Sequence, residues 1–403
     1  MAPSLDAAAL PKEQLTAAQI LQNVAELGAL IEEEAEETNR LQRLTDRVHR
    51  ALASAGAYRI AFPREGWGGP EMRLDDQVRL IGSIAYHDAS TAWNVMVLAD
   101  SGFFAPQLAP ESAREIYPGI DLATAGSTRP AGRAVKVEGG YKLTGHWSFG
   151  SGIRNAEVVY GGFYLYDDET ATDPETDESG RPALHICYMP RDAVREYDAW
   201  YTTGLSGSGS TEYAVTDLFI PESWKYQHSG AEGSLDLPPL ARHAGTIVVN
   251  QAGVALGIAA RAIDEFRRVV ERPSRTSSGS MKTQDPYVPA AYAHAVALHD
   301  AARAYALTAT GEVSALLFAG QALTPEQEGR LMQVPFMTGQ LCRQSVEVLL
   351  ECLGSRSVLA TLPFDRLYRD LSTAIRHGNF RQKSLEVAGI WMLGLPTPAH
   401  ITE

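Results

Sequence analysis

The chain contains 403 residues, of which 45% are hydrophobic and 21% charged, a balance typical of a globular protein with two or three packed modules. Its formal net charge of -14 at pH 7 excludes nucleic acid as the main partner, because such binding depends on basic side chains that replace counterions. The three cysteines, Cys187, Cys342 and Cys352, form no Cys-x-x-Cys pair, so neither a disulfide scaffold nor a zinc or other metal site is expected.

The N-terminal segment lacks the pattern of a signal peptide, which is a basic stretch followed by an apolar one. No uninterrupted apolar run approaches the roughly 18 residues that cross a bilayer. We therefore expect a cytoplasmic protein that has no membrane partner.

Residues 1–120 show the apolar spacing of helices and form the first predicted domain. Apolar residues recur at helical spacing from Leu15 to Leu52. The turn-rich stretch PREGWGGPE, residues 63–71, then interrupts the pattern. Two more helices are expected after it, of which the second starts at Pro110.

Residues 121–231 form the second predicted domain, in which the spacing changes to the alternation of β-strands. In RAVKVEGGYKLTGHWSF, apolar and polar residues alternate on both sides of Gly139-Gly140. This glycine pair accepts positive φ at both positions of a tight turn, which predicts a hairpin. Further strands are predicted in AEVVYGGFYLY, PALHICYMP and TEYAVTDLFIPE.

Residues 232–403 form the third predicted domain, because helical spacing returns there. Long helices are expected over TIVVNQAGVALGIAARAIDEFRRVVE, over PYVPAAYAHAVALHDAARAYALTATGEVSALLF, and from Pro325 onward. The last helix includes RLYRDLSTAIRHGNF and is expected to bend at its His-Gly step. Apolar helices of this length form a bundle, and we expect their remaining apolar faces to pair in a homotetramer or a dimer.

Three stretches, taken in order, carry a resemblance to a known family. They are PREGWGGPE with DASTAW, then GSTRPAGRAVKVEGGYKLTGHWSFGSG, then LGSRSVLATLPFDRLYRDLSTAIRHG. Over nearly its whole length the chain resembles the acyl-CoA dehydrogenase superfamily, and more narrowly its flavin-dependent monooxygenase branch, the oxygenase components of two-component systems (group D type). The resemblance implies a mainly α fold with a central β module: N-terminal helices, a β-barrel-like domain and a C-terminal four-helix bundle.

The resemblance also implies an activity. A separate NAD(P)H-dependent flavin reductase would supply reduced FMN, with FAD as the alternative. Oxygen would add at flavin C4a, and the resulting hydroperoxide would transfer one oxygen atom to a small aromatic, polyketide or amine substrate. The flavin would not bind through a Rossmann motif, which the chain lacks.

The middle stretch carries most of the implied chemistry. Ser151 matches the position where the family places a hydroxyl against flavin N5, and a hydroxyl both donates and accepts hydrogen bonds. Trp147 and Phe149 would wall the flavin ring, and Ser127 would face the substrate. The structural alternatives are a strand-end serine for Ser151, core aromatics for the two rings, and a turn serine before Pro130 for Ser127.

His377 stands where acyl-CoA dehydrogenases carry the glutamate that removes a substrate proton. The step reads Arg-His-Gly and contains no carboxylate, which counts against dehydrogenation of an acyl-CoA. In the oxygenase branch a histidine occurs at this place, and imidazole titrates near neutral pH, so it is suited to hold or relay a proton. The structural alternative is a histidine that ends a helix, followed by Gly378.

Further flavin contacts are implied by the resemblance. Arg272 and Arg275 lie in the linker from which family members place an arginine on the flavin phosphate, often across a subunit boundary. Ser206 lies in GLSGSGSTEY, which is similar to the family's glycine-rich turn, and Gly126 opens the middle stretch. The alternative for the arginines is a solvated loop.

Trp93, Asp100 and Ser127 are the predicted substrate contacts. Phenol hydroxylases of this branch carry a histidine several residues after the tryptophan that matches Trp93, where it binds the phenol oxygen. Here that region reads WNVMVLADSGFF and contains no histidine, which counts against a simple phenol. Asp100 is suited to accept a hydrogen bond from a hydroxyl or an amine, or it is an ordinary loop aspartate.

Two other functions fit the same residues. One is an acyl-CoA or acyl-carrier dehydrogenase with a displaced base, which substrate would reduce in the absence of oxygen. The other is a flavin-free descendant of the fold that catalyses a non-redox step or serves as a helical interaction scaffold. The second predicts a protein that purifies without flavin and does not bind it.

Overall fold

The computed structural model describes most of the chain. The described ranges are 14–178, 180–228, 237–243, 245–272 and 285–396. The predicted domain boundary after residue 231 and the predicted flavin ligand Arg275 lie outside them.

Helices occupy most of the chain before the sheet, as the apolar spacing predicted. They are α1 (Ala17–Glu26), α2 (Gly28–Leu41), α3 (Asp46–Ala55), α4 (Leu74–His87), α5 (Ala89–Leu98), α6 (Ser101–Phe104) and α7 (Pro110–Ile116). Asp88 caps α5, because its Oδ2 accepts the backbone N–H of Thr91 at 2.7 Å. The DASTAW stretch therefore starts a helix and places Trp93 in its first turns.

The described strands form one open sheet. They are β1 (Thr124–Val137), β2 (Gly140–Gly150), β3 (Val158–Tyr166), β4 (Leu184–Met189), β5 (Arg195–Glu196), β6 (Thr211–Pro221) and β7 (Lys225–Gln227). Their order is β5-β6-β2-β1-β3-β4-β7, in which β1 and β3 run parallel and the other neighbours antiparallel. The predicted hairpin is confirmed, but its turn lies one residue earlier than expected. Val137 pairs with Gly140, so the loop residues are Glu138 and Gly139, and of the two glycines only Gly139 has a positive φ.

A β-bulge interrupts β1. Ser127 and Pro130 pair with the consecutive residues Gly161 and Gly162 of β3, so the two residues between them stay outside the ladder. One of these is Arg129. The backbone of the bulge lies so close to Gly162 that a side chain there would collide with it, which is why β3 contains glycine at this point.

A second bulge interrupts the neighbouring strand β2. Trp147 pairs with Tyr213 and Gly150 with Thr211, so three residue steps on β2 oppose two on β6. Phe149 lies inside this bulge with φ +63°, the left-handed region that bulky side chains rarely adopt. The strained residue thus lies beside the β1 bulge and not in a regular ladder.

Helices follow the sheet and form the bundle. They are α8 (Gly245–Val248), α9 (Gln251–Glu271), α10 (Tyr287–Phe318), α11 (Pro325–Leu353), α12 (Phe364–Ala374) and α13 (Gln382–Met392). The predicted single helix over residues 246–271 is wrong, because the two turn residues Val249 and Asn250 separate α8 from α9. The mainly α fold with a central β module is confirmed.

The most apolar helical segment, Gly245–Glu271, is long and apolar enough to cross a membrane by length and composition alone. In this fold 78% of its apolar window is buried, as in a core helix. Gly257 lets α9 approach α4, since a side chain there would collide with the Gly82 carbonyl. The segment therefore has a packing role that explains its composition.

Candidate active site

Side chains from two walls that differ in secondary structure come together, and we call the region between the walls the cleft. The strand wall consists of Arg129 and Phe149 from the two bulges and of Ser151, which follows β2. The helix wall consists of Trp93 from α5 and His377, which follows α12. The walls meet at Trp93, whose Nε1 donates to Ser151 Oγ at 3.1 Å and whose ring packs edge-on against His377 at 5.6 Å between centroids.

Ionic contacts hold α12, and with it His377, against α5. The guanidinium of Arg366 pairs with the carboxylate of Asp88, whose side chain is 0% exposed. One turn further, Asp370 Oδ1 accepts the backbone N–H of Leu205 at 2.7 Å, and burial raises the pKa of Asp370 to about 6. Both residues of the Arg369-Asp370 step form structural ion pairs, though not with each other, since Arg369 pairs with Asp365 and Asp370 with Arg366.

Ser151 is a buried hydroxyl within a network of side chains. Its Oγ lies 3.1 Å from Trp93 Nε1 and 2.6 Å from Ser210 Oγ. Ser210 Oγ lies 2.8 Å from Ser208 Oγ, which continues the row of hydroxyls into the protein. The structural alternative of a serine bonded to backbone is wrong for the Ser151 hydroxyl, because its described partners are side chains.

Phe149 and Trp147, the two aromatic residues predicted to pack against the flavin ring, lie in different environments. Phe149 is 60% exposed, and its ring lies 5.7 Å from the Arg129 guanidinium and edge-on to Trp200. Trp147 is 1% exposed, stacks on Tyr213 and donates from Nε1 to the Gly162 carbonyl at 2.8 Å. The prediction for Trp147 is therefore wrong, because the bulge between these residues turns only Phe149 toward the cleft.

His377 does not end α12, as the structural alternative supposed. The helix ends at Ala374, and His377 instead caps the 3₁₀ turn Gly378–Phe380, with Nδ1 accepting the Asn379 backbone N–H at 3.4 Å. Because Nδ1 accepts, Nε2 carries the proton and is a hydrogen-bond donor. Desolvation, and second the positive charge of Arg129, lower the pKa of His377 to about 4.

Two measures of the environment of His377 differ. His377 is exposed to solvent by its accessible surface, yet nearby protein atoms desolvate the imidazole enough to disfavour its charged form. A position at the mouth of a cleft reconciles them, since one face is open while Trp93 and Arg129 lie nearby. The imidazole is neutral at pH 7.

Ser127 and Gly126 lie on β1 just before its bulge. Ser127 Oγ accepts the backbone N–H of Arg129 at 3.3 Å, which is the contact expected of a turn serine. Its side chain is half-buried, so a further contact from the cleft is compatible with this bond. Gly126 faces Tyr160 so closely that any side chain would collide with it, which explains glycine there without a ligand.

Asp100 lies between α5 and α6 beside the buried phenols of Tyr117 and Tyr160. Its carboxyl has no hydrogen-bond or ion-pair partner among the described residues, and burial raises its pKa well above the ordinary value. The neighbouring Ser101 donates to the Leu122 carbonyl at 2.9 Å, which ties this segment to the start of β1. Asp100 therefore differs from an ordinary solvated loop aspartate.

The predicted phosphate ligands are spread over the chain. Arg272 is exposed at the end of α9, and no hydrogen bond within the described residues joins it to the cleft. Ser206 opens a 3₁₀ turn over Ser206–Ser208, which α5 contacts through the Ser90 hydroxyl 3.2 Å from the Gly207 N–H. Arg275 lies outside the described residues, so the phosphate site stays a prediction.

Three residues of the cleft and of the hydroxyl row behind it were not predicted as site residues: Arg129, Ser208 and Ser210. Pro130 was a usable signal for Arg129, because proline within a strand cannot donate to the ladder and marks a bulge. For the serines the signal was weak, since a Gly-Ser run predicts only a turn. Within the described residues no group of three or more His, Cys, Asp or Glu is placed to hold a metal ion.

The residues of the cleft fit a flavin. An exposed aromatic ring held in a strained conformation, Phe149, offers a flat apolar surface, and such strain persists where a function requires it. The Ser151 hydroxyl lies two residues further along the chain, in position to bond a polar atom of a bound ring. A planar heterocycle with polar edges matches this combination.

Comparisons with known proteins show which proteins the chain is similar to. The family described as "Acyl-CoA dehydrogenase, C-terminal domain" matches residues 249–382. The flavin-dependent monooxygenase oxygenase subunit HsaA of Mycobacterium tuberculosis is 25% identical over 405 residues, covering 95% of this chain and 98% of the relative. The chain is thus similar over nearly its whole length to an oxygenase subunit of a flavin-dependent monooxygenase, and over residues 249–382 to the acyl-CoA dehydrogenase family.

Two further comparisons extend this similarity to other proteins. Indole-3-acetate monooxygenase of Acinetobacter baumannii is 25% identical over 354 residues, covering 87% of this chain and 88% of the relative. The structure of XiaF from Streptomyces sp. in complex with FADH2 and glycerol superimposes with a TM-score of 0.84 at 23% identity, covering 95% of this chain and 97% of XiaF. The second likeness establishes the fold alone.

Proposed function

We propose that the chain is the oxygenase component of a two-component monooxygenase that inserts one oxygen atom into a small organic substrate. The observation that carries this proposal is the neutral His377 beside Trp93, at the place where a dehydrogenase needs a carboxylate. A separate NAD(P)H-dependent flavin reductase would supply reduced FMN or FAD. Several relatives are named as oxygenase components or subunits, which supports a partner of this kind.

Each cleft residue has a role that follows from its chemistry. Reduced flavin, when bound, would supply the two electrons that activate O2, of which one atom would go to the substrate and the other to water. Phe149 would cover the flavin ring, and Ser151 would bond its N5 edge. His377 would donate from Nε2 to an oxygen atom in the cleft, and Arg129 would place positive charge near developing negative charge.

The tautomer of His377 bears on the choice between the proposal and dehydrogenation. Its Nδ1 accepts from the Asn379 backbone N–H, so the nitrogen left for the cleft, Nε2, already carries a proton and cannot remove another from a substrate. Nε2 is suited to donate a hydrogen bond while the ring stays neutral. The site therefore favours the oxygenase over the dehydrogenase with a displaced base.

The substrate side of the cleft would recognise an aromatic compound with a polar hydrogen. The relatives include enzymes named for indole-3-acetate, p-hydroxyphenylacetate and resorcinol. Trp93 offers an aromatic surface and Ser127 a hydroxyl, while the unpartnered Asp100 carboxyl is suited to bond an N–H or O–H group of the substrate. An Asp100→Asn variant tests this role, with an expected rise in substrate KM and unchanged flavin affinity.

The assembly would be a homotetramer or a dimer, and the location cytoplasmic. Exposed apolar side chains in the last third of the chain support pairing, with Leu393 and Val358 at 74% and 73% exposure. In such an assembly Arg272, exposed at the end of α9, would reach the flavin phosphate of another subunit. Sedimentation equilibrium of the purified protein tests the stoichiometry.

The test of the proposed function is rapid mixing of protein loaded anaerobically with reduced FMN against oxygenated buffer. We expect a transient whose absorbance differs from both reduced and oxidised flavin, followed by oxidised flavin. With an aromatic substrate present, one atom of labelled oxygen should appear in the product. Reoxidation at the rate of free flavin, without a transient or labelled product, would contradict the proposal.

The two rival functions predict different experimental results. Bleaching of oxidised flavin by an acyl-CoA without oxygen would indicate a dehydrogenase. No binding of reduced FMN or FAD by equilibrium dialysis would indicate the flavin-free descendant. Each result overturns the oxygenase proposal in favour of a named alternative.

A further inference from the structure

Three serine hydroxyls form a continuous buried row that ends at the cleft. Ser208 Oγ lies 2.8 Å from Ser210 Oγ, and Ser210 Oγ lies 2.6 Å from Ser151 Oγ. All three side chains are at most 9% exposed. At the cleft end, Trp93 Nε1 lies 3.1 Å from Ser151 Oγ. The row thus joins the loop before β6 to the residue proposed to contact flavin N5.

The indole of Trp93 restricts what Ser151 can do. An indole N–H only donates, so one lone pair of Ser151 Oγ always accepts from Trp93. One proton and one lone pair remain for Ser210 and for whatever binds in the cleft. If Ser210 accepts a hydrogen bond from the Ser151 proton, the free lone pair of Ser151 faces the cleft. If Ser210 donates to that lone pair, the Ser151 proton faces the cleft.

Reduced and oxidised flavin differ in this respect at N5. The reduced ring carries an N5–H donor, whereas oxidised N5 is an acceptor. With reduced flavin, Ser151 would accept from N5–H and donate its proton to Ser210, which would donate to Ser208. With oxidised flavin, Ser151 would donate to N5 and accept from Ser210, so the whole row would point the other way.

We infer that Ser210 is a positioning residue whose hydroxyl reverses direction with the redox state of the flavin and thereby allows Ser151 to bind reduced flavin. The inference rests on the proposed function, because it places N5 at Ser151. Ser210 acts only through Ser151 and touches neither flavin nor substrate. Its hydroxyl accepts a hydrogen bond from the Ser151 hydroxyl when the flavin N5–H donates to the free lone pair of Ser151.

Removing the Ser210 hydroxyl should therefore affect one redox state only. In Ser210→Ala with reduced flavin, the Ser151 proton has no partner, and an unpaired buried donor is costly. With oxidised flavin, the same proton bonds N5 and only a lone pair stays empty. We expect the Kd for reduced flavin to rise about tenfold and the Kd for oxidised flavin to change less than about threefold.

The experiment measures flavin binding and needs no turnover. Wild-type protein and Ser210→Ala are titrated with FMN and with FAD, in oxidised form aerobically and in dithionite-reduced form anaerobically. A tenfold selective loss of reduced flavin corresponds to a midpoint potential of bound flavin about 30 mV more negative than in the wild type. Redox titration of the two complexes measures that shift independently.

Two further variants separate positioning from general damage. Ser210→Thr keeps a hydroxyl and should restore the wild-type ratio of the two Kd values. Trp93→Phe removes the fixed donor, so Ser151 can satisfy either redox state, and both Kd values should change by the same factor. The thermal midpoint of each variant shows whether it folds. If Ser210→Ala does not fold, Ser208→Ala carries the test, because it removes the acceptor that the Ser210 proton needs only with reduced flavin and should therefore weaken reduced flavin selectively.

The outcomes distinguish the inference from the function on which it rests. Equal weakening of both redox forms in Ser210→Ala, or no change in either, would overturn the role of Ser210 while wild-type flavin binding stands. A wild type that binds neither FMN nor FAD would overturn the proposed function and the inference together. Selective loss of reduced flavin, reversed by Ser210→Thr, would establish the inference.

Discussion

The strand wall and the helix wall of the cleft are built by different means. In the strand wall, the bulges of β1 and β2 turn Arg129 and Phe149 out of the ladder, and Phe149 adopts a φ of +63°. In the helix wall, Trp93 and His377 lie on or next to regular helices that the Arg366–Asp88 ion pair holds together.

The strand wall therefore contains backbone strain, whereas the helix wall contains a buried charge. The strand wall positions its side chains through unfavourable backbone geometry. Such geometry persists where ligand binding requires it. The helix wall positions its groups through a carboxylate withdrawn from water and neutralised by a single guanidinium. Mutations should accordingly raise stability in the first wall and lower it in the second.

The largest expected effect is in the helix wall. Arg366→Ala would leave the Asp88 carboxylate buried without its cation, and breaking a buried pair costs about 3 kcal/mol of unfolding free energy. Urea denaturation measures the change. Arg40→Ala, which breaks the exposed pair with Glu37, is the matched control and should cost less than about 1 kcal/mol. Equal losses in both variants would show that the ion pair does not hold the wall.

His377→Ala tests the chemical role of the same wall. We expect product formation to fall at least about tenfold while oxygen consumption continues and hydrogen peroxide appears, because the donor at Nε2 is lost. The flavin Kd should change less than about threefold, since no flavin contact is assigned to His377. Product yield per oxygen consumed measures the coupling, and a wild-type yield would refute the assignment.

Phe149→Gly tests the strand wall and should act in the opposite direction on stability. Glycine adopts positive φ without strain, so the unfolding free energy should rise by about 1 kcal/mol, while loss of the ring weakens flavin binding. Phe149→Ala keeps a Cβ and should bring the same loss of binding without the gain in stability. A Phe149→Gly protein less stable than Phe149→Ala would show that the bulge stores no strain.

The smallest expected effect is a pH dependence. The pKa of His377 is lowered from 6.5 to about 4 in the fold, so the unfolded chain binds the proton first as pH falls. The stability that this histidine contributes is thus complete above pH 6.5 and is lost as pH falls toward 4. The unfolding free energy of the wild type should fall relative to that of His377→Gln over this range, whereas a constant difference would indicate an ordinary imidazole.

Local chemistry in the sequence determined much of the fold. Gly139 supplies the positive φ of a hairpin turn, and the helices follow the apolar spacing, because these signals act between neighbours in the chain. Asp88 capped its helix for the same reason. The resemblance added the family, the fold and the positions of Ser151 and His377.

Only the tertiary structure decided which side chains meet in the cleft. Strand alternation places Trp147 and Phe149 on one face, yet the bulge in β2 separates them, because its extra residue depends on pairing with β6. The hydroxyl row joins Ser151 to a serine 59 positions away, and Trp93 reaches it across 58. Such contacts leave no local pattern, since burial and partners arise only when distant segments pack together. The neutral state of His377 likewise depends on desolvation and on Arg129, from the other wall.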